Sequence, residues 1–308
     1  MEIAQKLPRS ADTPRRPAWH EVVRRRWAYV FVAPFFILYA IFGLYPMLLS
    51  IYLSLSEWNG VGAIKFVGLA NYARVLQDKV FWQSVTNGLL LFLLYVPAML
   101  FLALVLAVLL NSKYVLGFRF FRALYFLPFI TNMIAAGFAF RILLATNNGL
   151  FNIVLRSLGL GTVPWLETVW GARLSLALLI MWAWLGYNMV LMLAGLQTIP
   201  AEVNEAALID GANPVQGFFY ITVPLMRPMI IFTAVLSTIG SFGLFSEVAA
   251  LTNGGPVNAT ITPLIRIFNV AFRGNFQLGY AAALSYTYFA IVFVLTLLQV
   301  RFANRDEG

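Results

Sequence analysis

Six uncharged apolar runs, each long enough to cross a lipid bilayer, leave this chain of 308 residues few ways to fold. They are Ala28 to Ser56, Val85 to Leu110, Ala123 to Phe140, Leu174 to Leu196, Met229 to Ser246 and Gly279 to Val300. A hydrocarbon core about 30 Å thick takes about 20 residues of helix, and within it every backbone polar group needs a partner inside the chain. The runs are therefore read as helices, and the chain as an all-α polytopic membrane protein with six transmembrane helices. Only 11% of the residues are charged, against about 25% in soluble domains, which argues against a soluble enzyme, a disordered chain and a fibrous repeat. Trp27 and Trp58 bracket the first run at a spacing that suits the two headgroup belts. Pro34, Gly43 and Pro46 are expected to bend that helix, and Pro128 to kink the third.

Lysine and arginine set the orientation. Lys6, Arg9, Arg15, Arg16, Arg24, Arg25 and Arg26 precede the first run, Lys113, Arg119 and Arg122 follow the second, Arg227 precedes the fifth, and Arg301 and Arg305 follow the sixth. The opposite loops hold only Lys65, Arg74, Lys79, Arg156, Arg266 and Arg273, with Arg141 and Arg173 at run edges. Both termini are thus expected in the cytoplasm. This divides the chain into an N-terminal tail (1–26), a six-helix domain (27–302) and a C-terminal tail (303–308). The net charge of +9 is attributed to these orienting loops and not to nucleic acid. The first run is too long, and lacks a small-residue cleavage site, for a cleaved signal peptide.

Several chemistries have no residues to support them. There is no cysteine, and the only histidine, His20, lies in the polar tail. None of the lysines at 6, 65, 79 and 113 follows a glycine, so a phosphate-cradling G-x-x-x-x-G-K-[ST] loop is missing. No run contains an acid, which weighs against an ion-coupled secondary carrier, the rival reading, and no paired carboxylates suggest an intramembrane enzyme.

One cytoplasmic segment, 197–227, does not read as a loop. Pro200 suits a first helical turn, Glu202 and Glu205 favour the positive end of the helix dipole, and Gly211 is a C-terminal stop. Asn213 then caps a second helix, with Pro214 at its first position and Gln216 at capping-box spacing, until Pro224 breaks it. Val203, Ala206, Ala207 and Asp210 fall near one face of the first helix. The segment either lies on the bilayer or docks into a partner. Nothing basic occurs from Ala201 to Met226, which favours docking.

Glu205-Ala206-Ala207, three residues, Gly211, nine residues and then Ile221-x-Val223-Pro224 resembles the EAA loop of binding-protein-dependent ABC importer permeases. Val223 stands where that family usually has Leu. Phe66-Val67-Gly68-Leu69-x-Asn71-Tyr72, Phe118-Arg119 through Leu127-Pro128, and Leu251-Thr252-Asn253-Gly254-Gly255-Pro256 are similar to its sugar-importing branch, of the maltose, oligosaccharide and glycerol-phosphate type. The resemblance implies the type I importer permease fold in a bacterial cell membrane, surrounded by lipid. It implies a second homologous permease, different from this one, two copies of a cytoplasmic ABC ATPase and an extracytoplasmic sugar-binding protein. ATP and Mg would be bound by the ATPase, so this chain would need no cofactor, no metal and no catalytic residue. Glu205, Ala206, Ala207, Asp210, Gly211, Ile221 and Pro224 would form the coupling helix.

With no charge inside the runs, the pathway candidates are neutral polar and aromatic. Trp182, Gly186 and Met189 share one face of the fourth run, with Trp184, Tyr187 and Asn188 adjacent, and Ser237, Ser241 and Leu244 form a stripe on the fifth. In maltose-type permeases the matching helix segments hold the sugar, which carries that role to Trp182, Gly186, Met189, Ser237 and Ser241, with Tyr187 and Asn188 beside them. Helix packing is the plain alternative for each. Glu247, at the outer end of the fifth run, is expected to be partly solvated.

Overall fold

A computed structural model describes residues 26–112, 115–274 and 276–304. The tail before Arg26, with its orienting charges and His20, lies outside them, as do Lys113 and the C-terminal tail from Arg305. The chain forms two compact units, one ending at Tyr52 and the other beginning at Leu53.

In the first unit α1 (Arg26–Tyr39) passes through a π-helical turn, Ala40–Leu44, into α2 (Tyr45–Ser54), whose last two residues count with the second unit. Pro46 has no N–H, and its ring would collide with the carbonyl four residues back. The wider turn relieves this, because Tyr45 N–H reaches back to the Ala40 carbonyl. The helix therefore continues through Pro46 instead of breaking there.

The second unit opens with a two-stranded antiparallel hairpin, β1 (Ser56–Glu57) and β2 (Lys65–Phe66), with Glu57 opposite Lys65. Then follow α3 (Ala70–Gln77), α4 (Lys79–Asn111), α5 (Phe118–Phe126), a 3₁₀ turn (Leu127–Ile130), α6 (Met133–Leu143), α7 (Leu150–Ser157) and α8 (Val169–Leu196). After α8 come α9 (Ala201–Ile209), α10 (Pro214–Gly217), a π turn (Phe218–Thr222), α11 (Val223–Leu225), α12 (Arg227–Phe242), α13 (Ser246–Leu251), α14 (Pro263–Phe272) and α15 (Leu278–Asn304). Among the described residues, four helices are long and apolar enough to cross a membrane: Tyr29–Ser54, Lys79–Asn111, Val169–Leu196 and Leu278–Arg301.

The third and fifth expected crossings are not straight helices. Phe118–Ile130 and Met133–Leu143 meet at 96°, and Pro214–Leu225 and Arg227–Phe242 meet at 69°. The third run breaks after Pro128, at Thr131–Asn132, where Asn132 accepts from the N–H groups of Ile134 and Ala135 at 3.0 and 3.1 Å and starts a new helix. The fifth ends at Phe242, four residues short of Ser246, and α13 packs across α6. Pro224 does not break the helix it sits in. Val223 N–H reaches the Phe218 carbonyl across a π turn, the same device that precedes Pro46.

Contacts along the long helices fix their senses. Near their first turns Arg173 of α8 donates to Asn87 of α4, and further on Asn188 approaches Met99, so α4 and α8 run in the same direction. α12 runs against α8, with Ser237 on Asn188 and Thr233 on Met192. α15 runs against α12, with Thr238 bonded to Gln299 and the Tyr288 hydroxyl to the Phe242 carbonyl. The starts of α4, α8 and α15 therefore share one end of this unit, and the segment after α8 leaves from the other. Leu91, Met99, Leu176, Ile180, Met189 and Met192 are among the fully buried side chains between α4 and α8.

Asp78 ties the first end together. Its Oδ1 accepts from the N–H groups of Val80 and Phe81 and caps α4, while Oδ2 accepts from Arg266 of α14 at 2.7 Å and from the Tyr280 hydroxyl of α15 at 2.8 Å. Burial works against the charge, but the Arg266 contact and the backbone and Tyr280 bonds outweigh it and hold the carboxyl below its ordinary value. A group lowered in this way contributes stability that is complete above the unfolded carboxylate value of about 4 and fades as pH falls through the lowered folded value. Asp78→Ala is expected to cost about 2–4 kcal/mol, through a lost cap and an unpaired Arg266. Thermal unfolding of the purified protein should show this at pH 7, with the difference between parent and variant shrinking below pH 4.

Candidate functional site

Two features stand out at opposite places on the helical unit. The first is the elbow after α8. α9 ends where Gly211 takes φ +80°, and Ala212 N–H reaches back to the Ala207 carbonyl at 3.0 Å. This closure places the residue after the helix in a left-handed conformation that glycine adopts without strain. Asn213 and Gln216 then exchange reciprocal side-chain to backbone bonds, both 2.9 Å, and start α10. Both signals were local and readable from the residue order.

The elbow presents Glu205, Ala206, Asp210 and Gly211 to the surface, with Ala207 and Ile221 half-buried and Pro224 exposed. Phe218 holds the second helix down, packing edge-on against Phe101 of α4. Phe219 and Tyr220 remain exposed, so the face is acidic, small in its middle and aromatic at its far side.

The second feature is a cavity of about 260 Å³ between α4, α8 and α12, lined by Tyr95, Met99, Trp184, Tyr187, Asn188, Ser237, Gly240 and Ser241 among others. Its polar side chains are partly engaged. Asn188 donates to the Trp184 carbonyl at 3.0 Å and accepts from Ser237 at 3.3 Å. Ser241 Oγ is buried near the Tyr95 hydroxyl without closing a hydrogen bond within normal limits. Phe129, from the turn after α5, stacks on Tyr187 at 4.6 Å and meets Trp184 edge-on at 5.2 Å, which fixes both aromatic walls. An apolar body with a few hydrogen-bonding groups of both kinds suits a polyhydroxylated ligand.

Of the residues singled out on the fourth and fifth runs, Tyr187, Asn188, Ser237 and Ser241 meet here. Trp182, Gly186 and Met189 do not. Successive helical residues turn by about 100°, so Trp184 and Asn188 lie about 200° from Trp182 and Gly186. Trp182 packs on Phe140 and lines a separate hollow with Gly186, under α5. Gly186 is a point of close approach, since a Cβ there would fall 1.8 Å from the Tyr125 carbonyl oxygen. Met189 is core. Glu247 is not a solvated end: it is 7% exposed. Tyr95 and Met99 of the second apolar run also line the cavity between α4, α8 and α12, the tyrosine being a polar group within a largely apolar stretch. Among the described residues no group of His, Cys, Asp and Glu could hold a metal ion.

Residues 67–305 match the family model of the binding-protein-dependent transport system inner membrane component. The chain is 38% identical over 283 residues to the lactose transport system permease protein LacF of Rhizobium radiobacter, covering 91% of this chain and 94% of that one. It is 34% identical to the arabinooligosaccharides transport system permease protein AraP of Halalkalibacterium halodurans, over 88% of this chain and 86% of the relative. Its fold resembles a chain of a bacterial alginate ABC transporter solved in complex with an alginate pentasaccharide-bound periplasmic protein. There the TM-score is 0.81 at 20% identity, over 94% of this chain and 97% of the other.

The crossing at Gly186 makes a direct prediction. Gly186→Val should destabilise the protein by about 1–3 kcal/mol, because neither backbone at the crossing can yield to a larger side chain. Gly240→Ala, whose Cβ would meet nothing within 4 Å, should melt like the parent. Thermal unfolding of the two variants side by side checks the contrast.

Proposed function

The chain belongs to the family of binding-protein-dependent transport system inner membrane components, and on that premise we propose that it forms half of the translocation pathway of an ATP-driven sugar importer. It is a multi-pass membrane protein and a permease subunit of an ABC importer. The importer's ATPase activity, with its ATP and Mg, resides in two copies of a partner subunit on the cytoplasmic side. A second, non-identical permease completes the pathway, and an extracytoplasmic sugar-binding protein delivers the solute. Each bent helix pair makes one crossing, giving six, with both termini and the elbow in the cytoplasm.

The observation that carries this reading is the preformed acidic elbow. Its cap, left-handed turn and capping box are complete within the chain, so it reaches a partner without an ordering cost. Ala206 and Ala207 permit close approach, and Glu205 and Asp210 offer charge to a basic groove. Ile221 and Pro224, in the second helix, carry the push of the closing ATPase into α12. There Ser237 and Ser241 face Asn188 and Tyr187, and a shift of α12 against α8 reshapes the cavity between them. Hydroxyl groups bond to Asn188 and the serines while a ring face lies on Trp184 or Tyr187. Trp182, Gly186 and Met189 support this path through helix packing.

Two outcomes are expected in vesicles carrying the assembled importer. Glu205→Lys should cut ATP-dependent sugar uptake at least about tenfold and weaken copurification of the ATPase, as reversing a charge in a docked interface does. Ser241→Leu should leave assembly intact and raise the half-saturating sugar concentration about tenfold by filling the cavity. Uptake and copurification at parental levels in Glu205→Lys would remove the coupling assignment, and an unchanged uptake curve in Ser241→Leu the pathway.

A further inference from the structure

A second hollow in the helical unit has no part in the pathway just described. It encloses about 690 Å³ among the β1–β2 hairpin, α3 and the start of α15, at the end opposite the elbow. We propose that this hollow is a second carbohydrate site, on the extracytoplasmic face, able to hold one or two sugar units. Its place on the transport route rests on the importer reading above.

Each wall is held in position before any ligand arrives. The Trp58 indole donates to the Gly62 carbonyl at 3.2 Å across the hairpin, which fixes its ring. Asn71 spends its N–H groups on the Ser54 and Ser56 carbonyls at 3.0 and 2.9 Å, leaving Oδ1 to accept. The Arg74 guanidinium lies 3.9 Å from the centre of the Tyr280 ring, which is itself anchored through its hydroxyl to Asp78. Among the described residues no acceptor meets that guanidinium. Among the described residues no donor meets the buried Gln277 Oε1, an unsatisfied group that a ligand or bound water would be expected to answer.

The composition selects the ligand class. Aromatic surface stands beside amide groups, and the cations Lys65 and Arg74 are offset in part by Glu57. An anion site would need donors in excess, and an apolar ligand would leave these groups unanswered. A sugar supplies paired donors and acceptors around an apolar ring face. The volume falls within the usual range for small-molecule sites, about 300–1,000 Å³.

The test uses the full chain with its copurifying subunits in nanodiscs, in a Ser241→Leu background that weakens binding in the inner cavity, and without the external binding protein. The probes are lactose, melibiose, sucrose, arabinobiose, xylobiose and maltotriose, followed by saturation-transfer NMR and titration. At least one should bind. Trp58→Ala and Arg74→Ala should each weaken it about tenfold, and Trp58→Phe should restore most of the affinity. Failure of every probe to bind overturns the inference, as does binding unchanged in both alanine variants. Loss of binding-protein association in Trp58→Ala with sugar binding intact would make the hollow a protein contact, and also overturns it. ATP-dependent uptake of the same sugars, measured separately without the Ser241 change, tests the importer reading. Uptake without outer binding defeats this inference alone, and outer binding without ATP-driven uptake defeats the importer alone.

Discussion

Inside a bilayer no water is available to satisfy a backbone N–H or carbonyl, and that constraint shapes this chain wherever a helix departs from regularity. Pro46 and Pro224 each follow a π turn in which the preceding residue's N–H reaches five residues back. At Asn132 the chain bends by 96°, and the new helix is capped at once by its own side chain. Between α13 and α14 the backbone is irregular, exposed at Val257 and Asn258 and buried from Ala259 to Thr262. There Arg173, Asn87, Thr260 and Thr262 supply bonds to the carbonyls of Ala259, Asn258, Ile261, Gly255 and Leu244. Each irregularity brings its own partners.

The two ends of the helical unit are built differently. At the hairpin end, one carboxylate joins three helices, and an arginine and an asparagine clamp the loop before α14. These are charge-assisted bonds in partly buried positions, costly to break singly because the remaining partner is left without its counterpart. The elbow end depends instead on local closure: a left-handed glycine, a capping box and one aromatic contact through Phe218.

How far the residue order revealed this depends on whether a signal was local. The elbow was legible down to Gly211 and Gln216, because helix caps and stops act within four residues. The apolar runs were legible because their length alone decides that they are helices. Pro128 misled, because the residue that starts the next helix is Asn132, and a turn between two helices resembles a kink until the angle is known. The residues named on α8 divide between two faces of the helix. That helix is apolar all round, so nothing in its pattern says which face meets α12 and which meets α5. The choice between Trp182 and Trp184 rests on a rotation of about 200° that only packing supplies.

By itself, then, the order of residues determined that this chain lives in a membrane and that an acidic helix-turn-helix follows the fourth run, since hydropathy and capping are properties of neighbours in the chain. Tertiary structure alone decided which side chains face one another. It turned Tyr187, Asn188, Ser237 and Ser241 toward Tyr95, buried Glu247, bent two of the apolar runs, and brought Trp58, Arg74 and Gln277 around one hollow from segments some 200 residues apart. Such meetings depend on how helices of similar composition rotate and cross, which no local pattern records.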